Sequence, residues 1–311
     1  MALGASASGR GASQAAIEHH YDVGSDFYRL WLDERMVYSC ALWDGPLDDR
    51  LDEAQLAKLA WHATGARVDG AARVLDIGCG WGAMLRYLTA SRGVGHAVGL
   101  TLSRDQASVA ASSPASSPAG SIEVRLEDWR DHRPSAPYDA IVSIGAFEHF
   151  ARPDFDAEQR RAVYSTFFAT CAGWLRPGGR LSLQSIGYED FDPATNEVSP
   201  FFTDEIFPES ALPLLTDIVA ASDPWFGIAA LRSDAEQYEH TLQLWQRRLE
   251  ANRAAATDLV GAATCRTYLR YLRVSRAMFD RRVCTLYRVV LQRRPQPVRR
   301  TVPAASAEAA G

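Results

Sequence analysis

The sequence predicts an α/β fold built on a parallel sheet that helices cover on both faces. Three observations predict it. From Ala72 to Ile186, short apolar segments alternate with helical periodicity. The first of these segments runs straight into a glycine-rich turn, Gly78-Cys79-Gly80-Trp81-Gly82. The 311 residues, 47% hydrophobic and 23% charged, suffice for one large domain or two small ones with a sizeable core.

Residues 1–14 are rich in Ala, Gly and Ser and read as a disordered leader without the apolar stretch of a signal peptide. Residues 15–70 read as an N-terminal helical lid. Ala16, Ile17, Tyr21, Phe27, Tyr28, Leu30 and Trp31 give one apolar face. Leu51 to Ala63 give a second, with Asp49 or Asp52 as its cap. Residues 71–234 read as the core. Its strands are Arg73 to Ile77, His96 to Leu100, Ser121 to Leu126, Tyr138 to Ile144 and Arg180 to Ile186, with a sixth at Phe226 to Leu231. Ser112 to Pro118 is a loop by composition. Arg161 to Leu175 is an amphipathic helix closed by Arg176-Pro177-Gly178-Gly179. Residues 235–280 read as a helical cap and 281–294 as a closing strand, with alternation over Val283 to Leu291. Residues 295–311 read as a disordered tail. Ligands of such sheets bind beyond the carboxyl ends of the strands, here just after Ile77, Leu100, Leu126, Ile144 and Leu183.

Composition excludes several classes of function. No apolar run approaches the ~20 residues of a membrane span. Cys40, Cys79, Cys171, Cys265 and Cys284 are scattered without metal-ligand spacing, which points to a reducing, cytoplasmic setting and away from a metal site. With 33 basic and 38 acidic residues the formal net charge is -5, which disfavours a nucleic-acid partner. Lys58 is the single lysine, and arginines crowd Gln246 to Gln292, among them Arg247, Arg248, Arg270 and Arg273. They read either as a solvated face or as attraction for an anionic substrate or carrier.

The chemistry starts at Asp76-x-Gly78-x-Gly80-x-Gly82. The glycines let backbone approach a ligand, and the following helix offers free N–H groups. The spacing differs from the G-x-G-x-x-G of a dinucleotide site, and no basic residue stands in the loop to meet phosphate. A carboxylate at the strand end suits a cationic ligand with an amino group, such as S-adenosylmethionine.

Further motifs extend along the chain: His20-Tyr21-Asp22-Val23-Gly24, Tyr38-Ser39-Cys40-Ala41, Ala54-Gln55-Leu56-Ala57-Lys58 and Gly99-Leu100-Thr101-Leu102-Ser103-Arg104-Asp105-Gln106. Beyond these come Gly145-Ala146-Phe147-Glu148-His149-Phe150, Glu205-Ile206-Phe207-Pro208 and Tyr238-Glu239-His240-Thr241-Leu242. With the glycine turn, and in this order, they resemble the cyclopropane fatty acid synthase family of S-adenosylmethionine-dependent methyltransferases, most of all its mycolic acid cyclopropane synthase branch. The resemblance implies a Rossmann-like, seven-stranded class I methyltransferase sheet.

It also implies roles. Tyr38 and Ser39 would line the cofactor pocket, Asp76, Gly78 and Gly80 would surround the methionine part, and Thr101, Leu102 and Gln106 would hold the ribose region. Trp129, beside Asp128, would pack on the adenine. The family adds a methyl group to a carbon–carbon double bond. The alkene electrons attack the sulfonium methyl, and the carbocation closes a cyclopropane by losing a proton from that methyl. Members hold a bicarbonate ion as base, ringed by cysteine, glutamate, histidine and tyrosine. The matching positions are Cys40, Glu148, Gln184 and Tyr238, with backbone from Ile144 and Gly145. His149 would be a packed histidine in the turn.

Three departures stand out. Gln184 replaces a titratable histidine by an amide, Glu209-Ser210-Ala211 replaces the family's Gly-Gly, and Gly187 to Thr203 is shorter than the segment that shapes the acyl channel in the mycolic branch. The resulting expectation is alkylation of an alkene in a hydrophobic small-molecule or acyl substrate, anionic or carrier-bound, with transient contact to a membrane surface. The alternative is C-methylation of a specialised metabolite, such as a prenyl diphosphate or polyketide, without ring closure. A third reading is a cofactor-binding protein that no longer catalyses, against which the intact Glu148, Tyr238 and Cys40 argue.

Overall fold

Seven strands follow the expected segments closely: β1 (Arg73–Ile77), β2 (His96–Thr101), β3 (Ser121–Leu126), β4 (Tyr138–Ile144), β5 (Leu175–Tyr188), β6 (Phe226–Ser233) and β7 (Cys284–Arg293). The computed structural model describes residues 11–21, 23–112, 120–191, 196, 201, 206–207 and 209–298, without the side chains of 19–21. The strands form one sheet in the order β3-β2-β1-β4-β5-β7-β6. The first five run parallel, and β7 lies antiparallel between β5 and β6. Strand order reverses between β1 and β4, which opens a crevice at their carboxyl ends.

Nine helices are described: α1 (Gln14–Tyr21), α2 (Ser25–Arg29), α3 (Leu51–Ala66), α4 (Ala83–Ser91), α5 (Arg104–Ser112), α6 (Ala157–Trp174), α7 (Leu215–Ser222), α8 (Ala235–Ala251) and α9 (Arg253–Asp280). Leu59 and Ala63 of α3 and Leu85 and Leu88 of α4 pack with Val74 and Val142 on one sheet face. Phe167, Phe168 and Cys171 of α6 and Ile218 of α7 pack with Leu75, Ile141 and Leu183 on the other. A third cluster joins α2 and the segment after it to α8 and α9 through Phe27, Tyr28 and Trp31 against Trp245, Tyr268 and Leu272.

The lid departs from an unbroken helical reading. Gly24, at φ 100, separates α1 from α2, and no helix covers 32–50. That connection carries Tyr38 to Ala41 across to the sheet. Neither expected aspartate caps α3, whose N-cap is Arg50 and whose first turn receives no side-chain cap bond from it. Asp52 instead accepts from Glu34 N at 2.8 Å, and Asp49 pairs with Arg247. α6 begins four residues before the expected Arg161 because Asp156 and Gln159 form a reciprocal capping box.

Of the expected leader, residues 11–14 lie against the core. Gly11 and Ala12 are buried, and Ala12 N donates to His149 O at 2.8 Å. Residues 1–10 lie outside the described residues, as do 113–118 of the expected loop and 299–311 of the expected tail. Val298 N donates to Pro224 O at 2.8 Å. Among the described residues no helix is long and apolar enough to cross a membrane.

Candidate active site

The carboxyl ends of β1, β2 and β4 open into one cavity, and all ten residues expected at the cofactor site line it: Tyr38, Ser39, Asp76, Gly78, Gly80, Thr101, Leu102, Gln106, Asp128 and Trp129. Gly78 is left-handed at φ 80, and a Cβ there would meet Ala146 Cβ at 2.5 Å. The turn after β1 is thus pressed against the turn after β4, a fit that only glycine allows. Thr101 Oγ1 donates to Gln106 Oε1 at 2.8 Å, which ties the end of β2 to α5.

Asp76 is 2% exposed, and burial pushes its carboxyl up to about 7 against the pull of Lys58. Lys58, 1% exposed, also lines the cavity and donates to Ser39 Oγ at 2.7 Å. Burial, then the nearby Arg288, pulls its ammonium down to about 7. Sequence reasoning used Lys58 only as a motif position. The available signal was a polar trio, Gln55, Lys58 and His62, on the same buried face of α3 as Leu51 and Leu59.

Trp129 is buried beside Phe150 and Phe167, with ring centroids 5.4 and 5.3 Å away. Arg130 covers one ring face at 4.6 Å, so the expected stacking surface is partly taken. Its indole N–H has no hydrogen-bond partner among the described residues. A buried carboxylate, an orphaned N–H donor and a glycine turn without room for a Cβ fit a ligand that is cationic at one end and carries acceptors at the other.

A second cavity adjoins the first, and Tyr38, Ser39, Gly145 and His149 line both. Its walls are largely apolar: Tyr188, Phe207, Leu212, Leu242, Met278, Phe279 and Leu286. No Arg or Lys is among its described lining residues. Glu148, Gln184 and Tyr238 reach it, whereas Ile144 lines the first cavity. Glu148 sits in a 3-10 turn, Phe147–His149, just past β4. Its Oε1 accepts from Ile186 N at 2.6 Å, and its buried Oε2 has no partner among the described residues. Burial pushes the carboxyl up to about 7. The expected packed role of His149 holds in part. Burial drives its imidazole down to about 4 and Nδ1 lies 2.6 Å from Ser210 Oγ, yet the ring faces both cavities.

Cys40 lines neither cavity. Its thiol donates to Ala41 O at 3.2 Å, and burial pushes it up to about 11. Arg288, fully buried on β7, clamps this segment by donating to Ala41 O at 2.8 Å and Cys40 O at 3.3 Å. Arg288 also pairs with Asp234 and donates from Nε to Gln184 Oε1 at 3.0 Å. An arginine only donates, so the amide oxygen of Gln184 must face it, and the amide NH2 is left for the cavity. His62 Nε2 reaches the same oxygen at 3.2 Å and therefore carries the proton, while Nδ1 accepts from Ser182 Oγ at 2.8 Å. Sequence reasoning missed both His62 and Arg288.

The arginine crowd divides. Arg247 pairs with Asp49, Arg248 with Asp52, Arg276 with Glu239 and Arg282 with Glu189. None lines either cavity. Arg266, Arg270 and Arg273 are exposed on the outer side of α9, whose inner side supplies Tyr271, Ser275, Met278 and Phe279 to the second cavity.

A family model described as mycolic acid cyclopropane synthetase matches residues 10–289. Cyclopropane mycolic acid synthase 2 of Mycobacterium bovis is 35% identical over 271 residues, covering 83% of this chain and 87% of the relative. The cyclopropane-fatty-acyl-phospholipid synthase of Escherichia coli K12 is 32% identical over 276 residues, covering 89% of this chain and 67% of the relative. Among solved structures, the cyclopropane synthase MmaA2 of Mycobacterium tuberculosis is similar at a TM-score of 0.81 and 29% identity, over 91% of this chain and 99% of that one. The mycolic acid cyclopropane synthase CmaA1, solved with SAH and CTAB, is similar at 0.78 and 30% identity, with the same coverage.

Proposed function

The chain belongs to the mycolic acid cyclopropane synthetase family of S-adenosylmethionine-dependent methyltransferases, and from that premise we propose that it alkylates a carbon–carbon double bond in a lipid-like substrate. The observation that carries the reading is Glu148, a buried carboxylate whose Oε2 has no partner among the described residues, on the wall of a largely apolar cavity beside the cofactor cleft.

Asp76 would hold the cationic amino end of the cofactor, Thr101 and Gln106 its ribose end, and Trp129 would offer an indole N–H that has no partner among the described residues. When bound, S-adenosylmethionine would supply a methyl group, the alkene π pair forming the new carbon–carbon bond as the carbon–sulfur bond broke. Tyr38 lines both cavities, so its ring borders the path between donor and acceptor. Aromatic faces favour a nearby cation, which suits Tyr38 and Tyr238 to the carbocation that follows. Glu148, with a proton affinity matched to neutral pH, takes the proton from the added methyl. The two carbon electrons left behind close the third ring bond. For a bicarbonate, Gln184 offers its amide donors and Glu148 Oε2 an acceptor, whereas Cys40 stands outside the cavity.

The walls of the second cavity suit an acyl chain. Without Arg or Lys among its described lining residues, they offer no counter-ion to a prenyl diphosphate. An anionic headgroup or carrier is therefore a matter for the outer arginines of α9. The reading is tested by incubating the protein with labelled S-adenosylmethionine and unsaturated acyl lipids. Label should enter the lipid and fail to do so with Glu148→Gln. No transfer to any unsaturated lipid would overturn it.

A further inference from the structure

Glu209 occupies a backbone conformation that suits glycine. Its φ is 63, in the left-handed region, where a Cβ is strained. A side chain kept there against strain needs a compensating contact, and the structure shows one. Glu209 Oε2 accepts from Ser13 N at 2.8 Å, and Oε1 pairs with Arg152 Nη1 at 3.2 Å. The Ser13 N–H, then Arg152, hold this carboxyl below the usual carboxylate range.

Ser13 belongs to a strap, residues 11–18, that closes one side of the cofactor cavity. Ala12 and Ile17 are buried and line that cavity. Gly11 is pressed so tightly on the 3-10 turn that a Cβ would meet His149 O at 2.3 Å. Ala12 N donates to the same carbonyl at 2.8 Å. The segment after Glu209 belongs to the other cavity. Ser210 lines it and bonds His149, and Ala211 N donates to Ala151 O at 3.1 Å. One side chain thus joins the cover of the cofactor to the wall of the substrate cavity.

We propose that Glu209 is a positioning residue whose carboxylate fastens the 11–18 strap over the cofactor, so that cofactor residence depends on the segment that places Ser210 in the wall of the second cavity. This rests on reading the first cavity as the S-adenosylmethionine site.

The test uses the full chain, S-adenosylhomocysteine as probe, and Glu209→Gly and Glu209→Gln. Glycine relieves the left-handed strain and removes the clasp. It should leave the ligand-free Tm unchanged or higher while raising Kd and the dissociation rate by about three- to tenfold. Glutamine keeps an acceptor for Ser13 N–H but loses the ion pair, and should fall between. Unchanged Kd and dissociation rate in Glu209→Gly would overturn the clasp alone. A fall in ligand-free Tm that accounts for weaker binding would also overturn it, by making the role structural. Failure of the unmutated protein to bind the probe would remove the cofactor reading and the clasp together.

Discussion

Gln184 Oε1 accepts from Arg288 Nε at 3.0 Å, and this bond decides what the amide shows to the second cavity. The oxygen is committed to Arg288 and His62, so the cavity meets a donor. Gln184→Glu should keep both acceptor bonds, and with them the Tm, because a carboxylate serves Arg288 and His62 equally well. It places a second acid near Glu148, and kcat should fall by about tenfold or more. Thermal unfolding and steady-state kinetics on one preparation check both halves.

Glu148 should trade stability for function. Its carboxyl is raised from 4.5 to about 7 by burial. The stability linked to such a group is fully present below the unfolded value and is lost as pH rises through about 7. Glu148→Gln removes the titration, so it should gain on the unmutated protein between pH 5 and pH 8, by at most about 3 kcal/mol. Turnover should drop by about a hundredfold or more across the same range. Denaturant melts at several pH values read the first effect and product formation the second.

Cofactor affinity should rise with pH through neutrality. Asp76 loses its proton near 7, and Lys58 loses its own near 7, so both changes make the cleft more favourable to a cation. Asp76→Asn should flatten the profile and weaken binding at pH 8 by about ten- to a hundredfold. Calorimetry with S-adenosylmethionine across the range measures this.

The arginines should separate by position. Arg248 donates to Leu32 O at 2.8 Å and pairs with Asp52, so Arg248→Gln should lower Tm and leave KM unchanged. Arg266 and Arg273 are exposed on α9, and their double replacement by Gln should raise KM for an anionic or carrier-bound substrate, with the difference fading at high salt.

Much of the fold was legible because each strand is a short apolar run bounded by turn residues, and every expected strand from Arg73 to Leu291 appears within a few residues. The N-terminal segment was not, since Ala16 and Ile17 lie on one short helix, Phe27 and Tyr28 on a second beyond Gly24, and Leu30 and Trp31 past its end. The residues that line the first cavity were legible as motifs, because they stand at or near the carboxyl ends of recognisable strands or in segments that the family resemblance aligned. The polar network was not. Arg288 sits in an apolar strand, with its partners Asp234, Gln184 and Ala41 scattered along the chain, and only the fold brings them together. Cys40 matched a motif but faces the Arg288 clamp, a direction that spacing alone does not encode.

The most direct measurement of the central claim is the deuterium content of a lipid product formed with S-adenosylmethionine carrying a trideuterated methyl group. If Glu148 or an ion beside it removes a proton from the added methyl, the product keeps two deuteriums and contains a cyclopropane. A product that keeps all three, with a methyl branch and a shifted double bond, would contradict ring closure at this site.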